Sequence, residues 1–424
     1  MKMSASLSLV VFLVSLAGWA ADPLIGIPLL PEQKYLRALI KDEQIHNDRV
    51  ENTKEFDSIK NDIMLAPAYR PETQSTFNLP VFLIAPHEVT VLETKKVDRS
   101  VFIDQATGRV RFFVHPQSLN AFWPFLNSAM PEAGWKGTPT SSYRSILAWN
   151  SSDFVYSLKV SLDTEIGALS RMLSRSQIER ATVASLAIQQ TSKETFNQQG
   201  IFFIDEPVSV YFKKFQFGYT IRESPKMKPR SKLVPLFALY AKRKNGESLL
   251  QELIDQSGLS AKEFVAENLI KPLINQSLYL GLQEGMIGAP HEQNVLVEMI
   301  NGKLSKNFYY RDLGSFHINE NLRKMAGKNV DFIPQTFLPE NLKSSKNNLI
   351  QSLQDYLLAS QFFAMVRSLR PGQMSDKWVE KVALDLIATQ IRTSTGIEAK
   401  TWLGVKAGIT RYIQAARCEA LFTY

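Results

Sequence analysis

The chain has 424 residues, 45% hydrophobic and 21% charged, the balance of an ordinary globular protein long enough for two or three packing units. Its one cysteine, Cys418, excludes an internal disulfide and any cysteine-based metal cluster, and its five scattered histidines lack zinc-site spacing. The net charge of +8 suits anionic ligands and solubility alike, and no nucleic-acid module is recognisable.

At the N-terminus, Lys2 precedes an apolar run over 7–16, and Gly18 and Ala20 flank Trp19. This reads as a cleavable secretory signal over 1–21, the run being short for a stable membrane span. Export is the expectation; an uncleaved anchor and a misplaced start are the other readings. Residues 32–60 suit one or two helices, and 65–80, with Pro67, Pro71 and Pro80, reads as a linker. Strands are expected at 81–84 and 89–92, and 101–103 should pair with 110–114 across Thr107-Gly108. His115-Pro116 ends that second strand, where His115 reads mainly as a structural residue.

Residues 138–147, TPTSSYRSIL, bring Ser142, Arg144 and Ser145 together. Two hydroxyls and a planar guanidinium suit phosphate oxygens, although serines also gather in ordinary loops. A strand over 154–160 carries Lys159, and a helix is expected over 162–174 carrying Arg171. Each charge alone reads as solvated surface. Strands follow at 201–204, 208–212 and 215–221, then a basic, proline-broken stretch over 222–230. No phosphate-binding G-x-x-x-x-G-K-[ST] loop and no G-x-G-x-x-G turn occurs. From Leu233 the pattern turns helical. Ser260 and Glu263 form a capping-box pattern, and Pro272 should kink the helix that follows.

The stretch 284–312 concentrates the polar chemistry. Asn301-Gly302 is a strong type I′ hairpin signal, with Val295, Val297 and Met299 alternating before it and Phe308 and Tyr310 after it. His291, Gln293 and Asn294 precede the first strand; Arg311 and Asp312 follow the second. An antiparallel pair brings those ends together, a reasonable way to hold a metal-bound phosphate. Helices are expected after it at 347–367, 375–393 and 402–422.

The ordered set S-x-R-S, Lys159, Arg171, H-x-Q-N and R-D resembles the siderophore synthetases that work without a peptide-synthetase template, the aerobactin-synthetase (IucA/IucC) type. The resemblance runs over about 110–316. It implies an α+β fold like a cupped hand: a shortened N-terminal region over 22–135, a β-rich ATP-binding lobe over 136–240, and a mainly helical palm and thumb over 241–424. It also implies ATP and Mg²⁺ as cofactors, with a citrate-like polycarboxylate adenylated and then joined to an amine or hydroxyl. Ser142, Arg144, Ser145, Lys159 and Arg171 would hold ATP. His291, Gln293 and Asn294 would line the reacting phosphate, with His291 and Arg311 catalytic and Asp312 on Mg²⁺. A homodimer fits the same reading.

Two departures stand out. The family's Glu two residues before the motif His is Ala289 here, and its His-Pro-Trp-Gln motif survives only as His115-Pro116-Gln117-Ser118. Export also conflicts with the use of ATP, so a cytoplasmic synthetase and an exported, catalytically impaired relative that binds a siderophore-like ligand both stay open.

Overall fold

The computed structural model describes residues 23–395, except 25–26, 28, 46–65, 127, 151–153, 167–168, 216, 244, 336 and 338–348. The signal-like segment, part of the helical stretch expected over 32–60 and the helix expected over 402–422 lie outside the described residues. Helix α1 (Leu36–Ile45) comes first, with Leu36, Leu39 and Ile40 buried at helical spacing.

Strands β1 (Phe77–Asn78), β2 (Val81–Ile84), β3 (Val89–Glu93) and β4 (Val110–Phe113) follow. The pairing expected between 101–103 and 110–114 is reduced to one bridge, Ile103 with Val110. The 3-10 turn Arg99–Val101, capped by Asp98, uses up the rest of the first segment. β4 pairs instead with β2, and β5 (Met130–Glu132) completes a three-stranded sheet.

β6 (Lys136–Pro139), β7 (Ser145–Trp149) and β8 (Tyr156–Val160) then run antiparallel. The helix expected over 162–174 does not form. Two short strands stand there, β9 (Glu165–Ile166) and β10 (Leu169–Ser170), with Arg171 N–H donating to the Thr164 carbonyl at 3.1 Å. The helix starts later, where the Ser174 side chain caps it by accepting from Gln177 N–H, so α2 is Arg175–Gln189.

β11 (Ile201–Phe203) leaves for a second sheet, while β12 (Val208–Phe212) and β13 (Gly218–Arg222) complete a seven-stranded sheet ordered β1-β6-β7-β8-β13-β12-β3. Ser145 lies opposite Lys159, Lys159 opposite Thr220 and Thr220 opposite Ser209. Residues directly opposite share a face, so this row is polar across four strands. The other face carries Ile146, Leu158, Ile221 and Val208, which pack with Phe82, Phe112 and Phe113 of the three-stranded sheet.

The helical character expected from Leu233 is delayed. Ser231–Pro235 is a strand, β14, because Leu233 and Val234 are buried beside β16 (Val295–Ile300). Helices Leu236–Tyr240 and Leu249–Ser257 come next, and Ser260 and Glu263 form the capping box. A π-helical turn, Ala266–Ile270, absorbs the irregularity before α3 (Lys271–Glu284), and Pro272 sits in the first turn of α3.

β15 (Met286–Ile287) leads to the hairpin of β16 and β17 (Lys303–Tyr310), with a bulge between Val297 and Met299. The four-stranded order is β11-β17-β16-β14. Val297, Met299, Phe308 and Tyr310 face a helical core with α3, the π-helical Leu353–Phe362 and α4 (Asp376–Thr395). Leu296 and Tyr309 face the opposite way, toward α1 and Leu147 of the large sheet. Helix α1 is therefore wedged between the two sheets. Among the described residues, no helix is long and apolar enough to cross a membrane.

Candidate functional site

The polar row of the large sheet meets the open ends of the β16–β17 hairpin. Lys159, on a central strand, is buried and ion-paired with the Asp312 carboxylate. Arg222 approaches the same carboxylate from the neighbouring strand at 3.7 Å. It is held there by Glu206, whose carboxylate accepts from Arg222 Nε at 2.8 Å. Arg222 Nη1 also donates to Ser145 Oγ at 3.2 Å, and Ser142 Oγ donates to Ser145 Oγ at 2.6 Å. One row thus links Ser142, Ser145, Arg222, Asp312 and Lys159.

Burial pushes the Lys159 ammonium down to about 8, although Asp312 beside it pulls the other way. Burial alone would raise the Asp312 carboxyl, yet Lys159, Arg222 and Arg144 together hold it well below the usual carboxylate range. Asp312 itself has φ +63°, a left-handed conformation uncommon for a residue with a side chain. The position is therefore over-determined by its ionic partners, as strained residues at functional sites are.

Arg144 follows Tyr143, whose φ of +55° turns the chain sharply. Its guanidinium donates to the Arg171 and Met172 carbonyls at 2.9 and 3.2 Å. Arg144 thereby clamps the Arg171 segment to the sheet, in addition to placing charge near Asp312. Arg171 is brought close, but from the turn before α2 and not from a helix.

The H-x-Q-N loop joins the same region. Gln293 Nε2 donates to the Ser141 carbonyl at 3.3 Å, and Arg311 Nε donates to the Gln293 carbonyl at 2.7 Å. Arg311 Nη2 reaches Ser141 Oγ at 3.2 Å. His291 Nδ1 accepts from Gln293 N–H at 3.3 Å, which directs the ring proton of the neutral form to Nε2. The Asn294 side chain turns inward instead, its Nδ2 donating to the Ala289 carbonyl at 3.3 Å. That residue shapes the loop and does not project from it. Glu292, beside His291, points to Ser360 and leaves position 289 without a carboxylate nearby in the loop.

The helical lobe clasps this loop from behind. Ser352 Oγ donates to the Gly288 carbonyl at 2.5 Å, Gln361 contacts the Pro290 carbonyl, and the Tyr356 ring lies 6.0 Å from His291. His115 is buried against the Tyr143 backbone and is not a member of the row. Its Nδ1 accepts from Gln117 N–H at 3.2 Å as the cap of a 3-10 turn, and burial lowers it to about 4. It is a neutral structural residue.

Sequence reasoning missed four members of the cluster. Arg222 ends β13, and Glu206 lies between β11 and β12. Arg180 on α2 adds positive potential toward Asp312 and His317. Glu43 reaches Arg311 from α1, across more than half the chain. Of these, only Arg222 carried a sequence signal, two residues beyond Thr220 on the same strand face.

The residues fit a polyanion. Buried guanidinium and ammonium groups converge from two strands, the turn before β7 and one hairpin end, with hydroxyls of Ser142 and Ser145 among them, the donor set that phosphate oxygens take. The fit to a metal is narrower. Among the described residues, no three His, Cys, Asp or Glu side chains gather as a cage. Asp312 stands among cations, so a Mg²⁺ there would draw most of its ligands from phosphates and water, the usual habit of that ion.

The sequence profile of the IucA / IucC family matches residues 128–241. No curated protein sequence matches the chain. Among solved structures, the chain is similar to the petrobactin biosynthesis protein AsbB from Bacillus anthracis str. Sterne: 16% identity, TM-score 0.63, covering 80% of this chain and 64% of that one. It is similar to the aerobactin synthetase IucC from a hypervirulent pathotype of Klebsiella pneumoniae, with 16% identity, TM-score 0.60, and 80% and 66% of the two chains covered. The ATP-bound aerobactin synthetase IucA from the same source gives 15%, 0.61, 85% and 75%. The chain therefore spans just under two thirds of the length of the first two relatives. Residues 128–241 thus match the IucA / IucC family model, and the chain shares the α+β fold of these solved synthetase structures.

Proposed function

We propose that the chain is a siderophore-biosynthesis ligase that binds ATP with Mg²⁺, activates one carboxylate of a citrate-like polycarboxylate, and passes it to an amine or hydroxyl. The observation that carries this reading is the row Lys159–Asp312–Arg222, in which two buried cations flank a partly exposed carboxylate on one sheet face. Lys159 and Arg222 would neutralise phosphate charge, with Arg144 holding the Arg171 turn in place beside them. Ser142 and Ser145 would donate to phosphate oxygens, and the His291 Nε2–H would face the reacting phosphate. Bound ATP supplies the adenylyl group that makes the carboxylate an acyl donor. The protein's share is positioning and charge neutralisation in a site shielded from water.

Calorimetry with ATP and Mg²⁺ tests the reading, followed by an assay of AMP release with citrate and hydroxylamine as the trapping nucleophile. Lys159→Ala should weaken ATP binding by roughly 1.5–3 kcal/mol, the worth of a charge-assisted contact. An unmodified protein that binds no ATP in the presence of Mg²⁺ would sink the enzyme reading.

A second reading has one observation in its favour: position 289, where the resemblance calls for a Glu, is Ala. An exported relative that binds a carboxylate-rich, siderophore-like ligand without turnover would look like this. It requires cleavage of the leader, so the native protein would begin at Ala21 or Asp22 by mass spectrometry. An intact Met1 on cytosolic protein would eliminate it.

A further inference from the structure

Helix α1 carries an acid into the cationic face. Glu43 is 2% exposed, its carboxylate is ion-paired with Arg311, and the Ser141 N–H donates to it at 3.5 Å. The adjacent Gln44 fixes that end of the helix by donating to Thr138 Oγ1 at 3.0 Å and to the Pro139 carbonyl at 2.7 Å. A cavity of about 40 Å³ adjoins the pair, lined by Tyr35, Leu39, Thr140, Arg222, Ser224 and Arg311 among others. That is room for a few waters and not for a tricarboxylate.

The acid is not needed to dock the helix. Leu36, Leu39 and Ile40 already bury α1 between the two sheets. A buried ion pair, moreover, contributes little net stability over apolar packing of the same volume. What Glu43 does supply is a carboxylate, at donors suited to binding one: the Arg311 guanidinium and a backbone N–H beside the hydroxyl of Ser141, with Arg222 lining the adjoining cavity.

We infer that Glu43 is an internal ligand in a carboxylate subsite made by Arg311 and Ser141, beside the cavity that Arg222 lines, and that it competes there with a small polycarboxylate. The location beside the phosphate row rests on the reading proposed above, but the competition is measurable with the acid alone. Entry of the acid requires the Glu43 side chain to leave. The apparent affinity is then the intrinsic affinity reduced by the fraction of molecules in which the subsite is open.

Citrate is the probe, titrated into the full chain with ionic strength matched by sodium chloride so that bulk screening is constant. Glu43→Gln removes the charge and keeps the shape. It should tighten citrate binding by about tenfold or more, as for a subsite occupied nine-tenths of the time. Citrate should also raise Tm further in Glu43→Gln than in the unmodified chain. A folded Glu43→Gln protein that binds citrate equally or more weakly overturns the inference. It would make Glu43 a positioning residue for Arg311.

Should Glu43→Gln fail to fold, Glu43→Asp keeps the charge on a shorter stem and should show a smaller gain in affinity; no gain overturns the inference equally. ATP titrations separate the two claims. An unmodified chain that ignores ATP loses the ligase reading while the citrate comparison still decides the subsite. A chain that binds ATP but shows no citrate gain keeps the reading and loses the subsite.

Discussion

Lys159 is the residue on which the site turns. In the free protein burial lowers its pKa from 10.5 to about 8, with Asp312 only partly offsetting the loss of water. A polyphosphate would favour the charged form and raise that value on binding. The protonated lysine therefore binds the anion better, and the advantage is complete below the free-state value. Affinity for ATP should hold steady near pH 7 and fall above about pH 8, with a limiting slope of about tenfold per pH unit. Calorimetry between pH 7 and 9.5 checks this, and Lys159→Arg should flatten the profile because a guanidinium does not titrate there. A profile in the unmodified protein that is equally flat would remove Lys159 from the phosphate contacts.

At the scale of elements, the β16–β17 hairpin brings the two halves of the signature together. Val295 pairs with Tyr310, so the loop ending at Asn294 and the segment starting at Arg311 are neighbours, joined by Arg311 N–H to the Asn294 carbonyl at 3.0 Å. The far end is set by Asn301 and Gly302, with φ of +52° and +80°. A Cβ at Gly302 would meet no atom within 4 Å, so Gly302→Ala tests backbone conformation alone. It should cost about 1 kcal/mol, the left-handed penalty of an L-residue, and leave ATP affinity unchanged because the site lies at the other end. Urea denaturation and calorimetry read the two arms. A loss of ATP binding at unchanged stability would show that hairpin register, and not only its ends, matters to the site.

For the whole molecule, the site exists because two sheets and a wedged helix meet. The large sheet supplies Ser145, Lys159 and Arg222. The hairpin supplies Arg311 and Asp312, and α1 supplies Glu43. Asp312 is then both counter-ion and candidate metal ligand, and these roles separate by experiment. With no three carboxylates or histidines gathered there among the described residues, Mg²⁺ alone should leave Tm unchanged and act only with nucleotide. Asp312→Asn should lower ATP affinity when Mg²⁺ is present. In EDTA it should not, since Lys159 and Arg222 lose a competing carboxylate. Equal losses with and without Mg²⁺ would assign Asp312 to holding the cations and not to the metal.

The sequence by itself determined the local parts: the I′ turn from Asn301-Gly302, the capping box of Ser260 and Glu263, and the strand carrying Lys159. Each is set by backbone sterics or by the alternation of buried and polar side chains, which act over a few residues. It also located the S-x-R-S, H-x-Q-N and R-D segments that the fold brings into one place. It misread 162–174 as a helix; the short strands β9 and β10 stand there, before the helix that Ser174 caps. Tertiary structure alone decided the ion-pair partners. Glu43 with Arg311, Lys159 with Asp312 and Glu206 with Arg222 join residues whose spacing carries no periodic signal. Their meeting depends on sheet order and on α1 lying between the sheets, and buried charges select partners by proximity in the fold, not by distance along the chain.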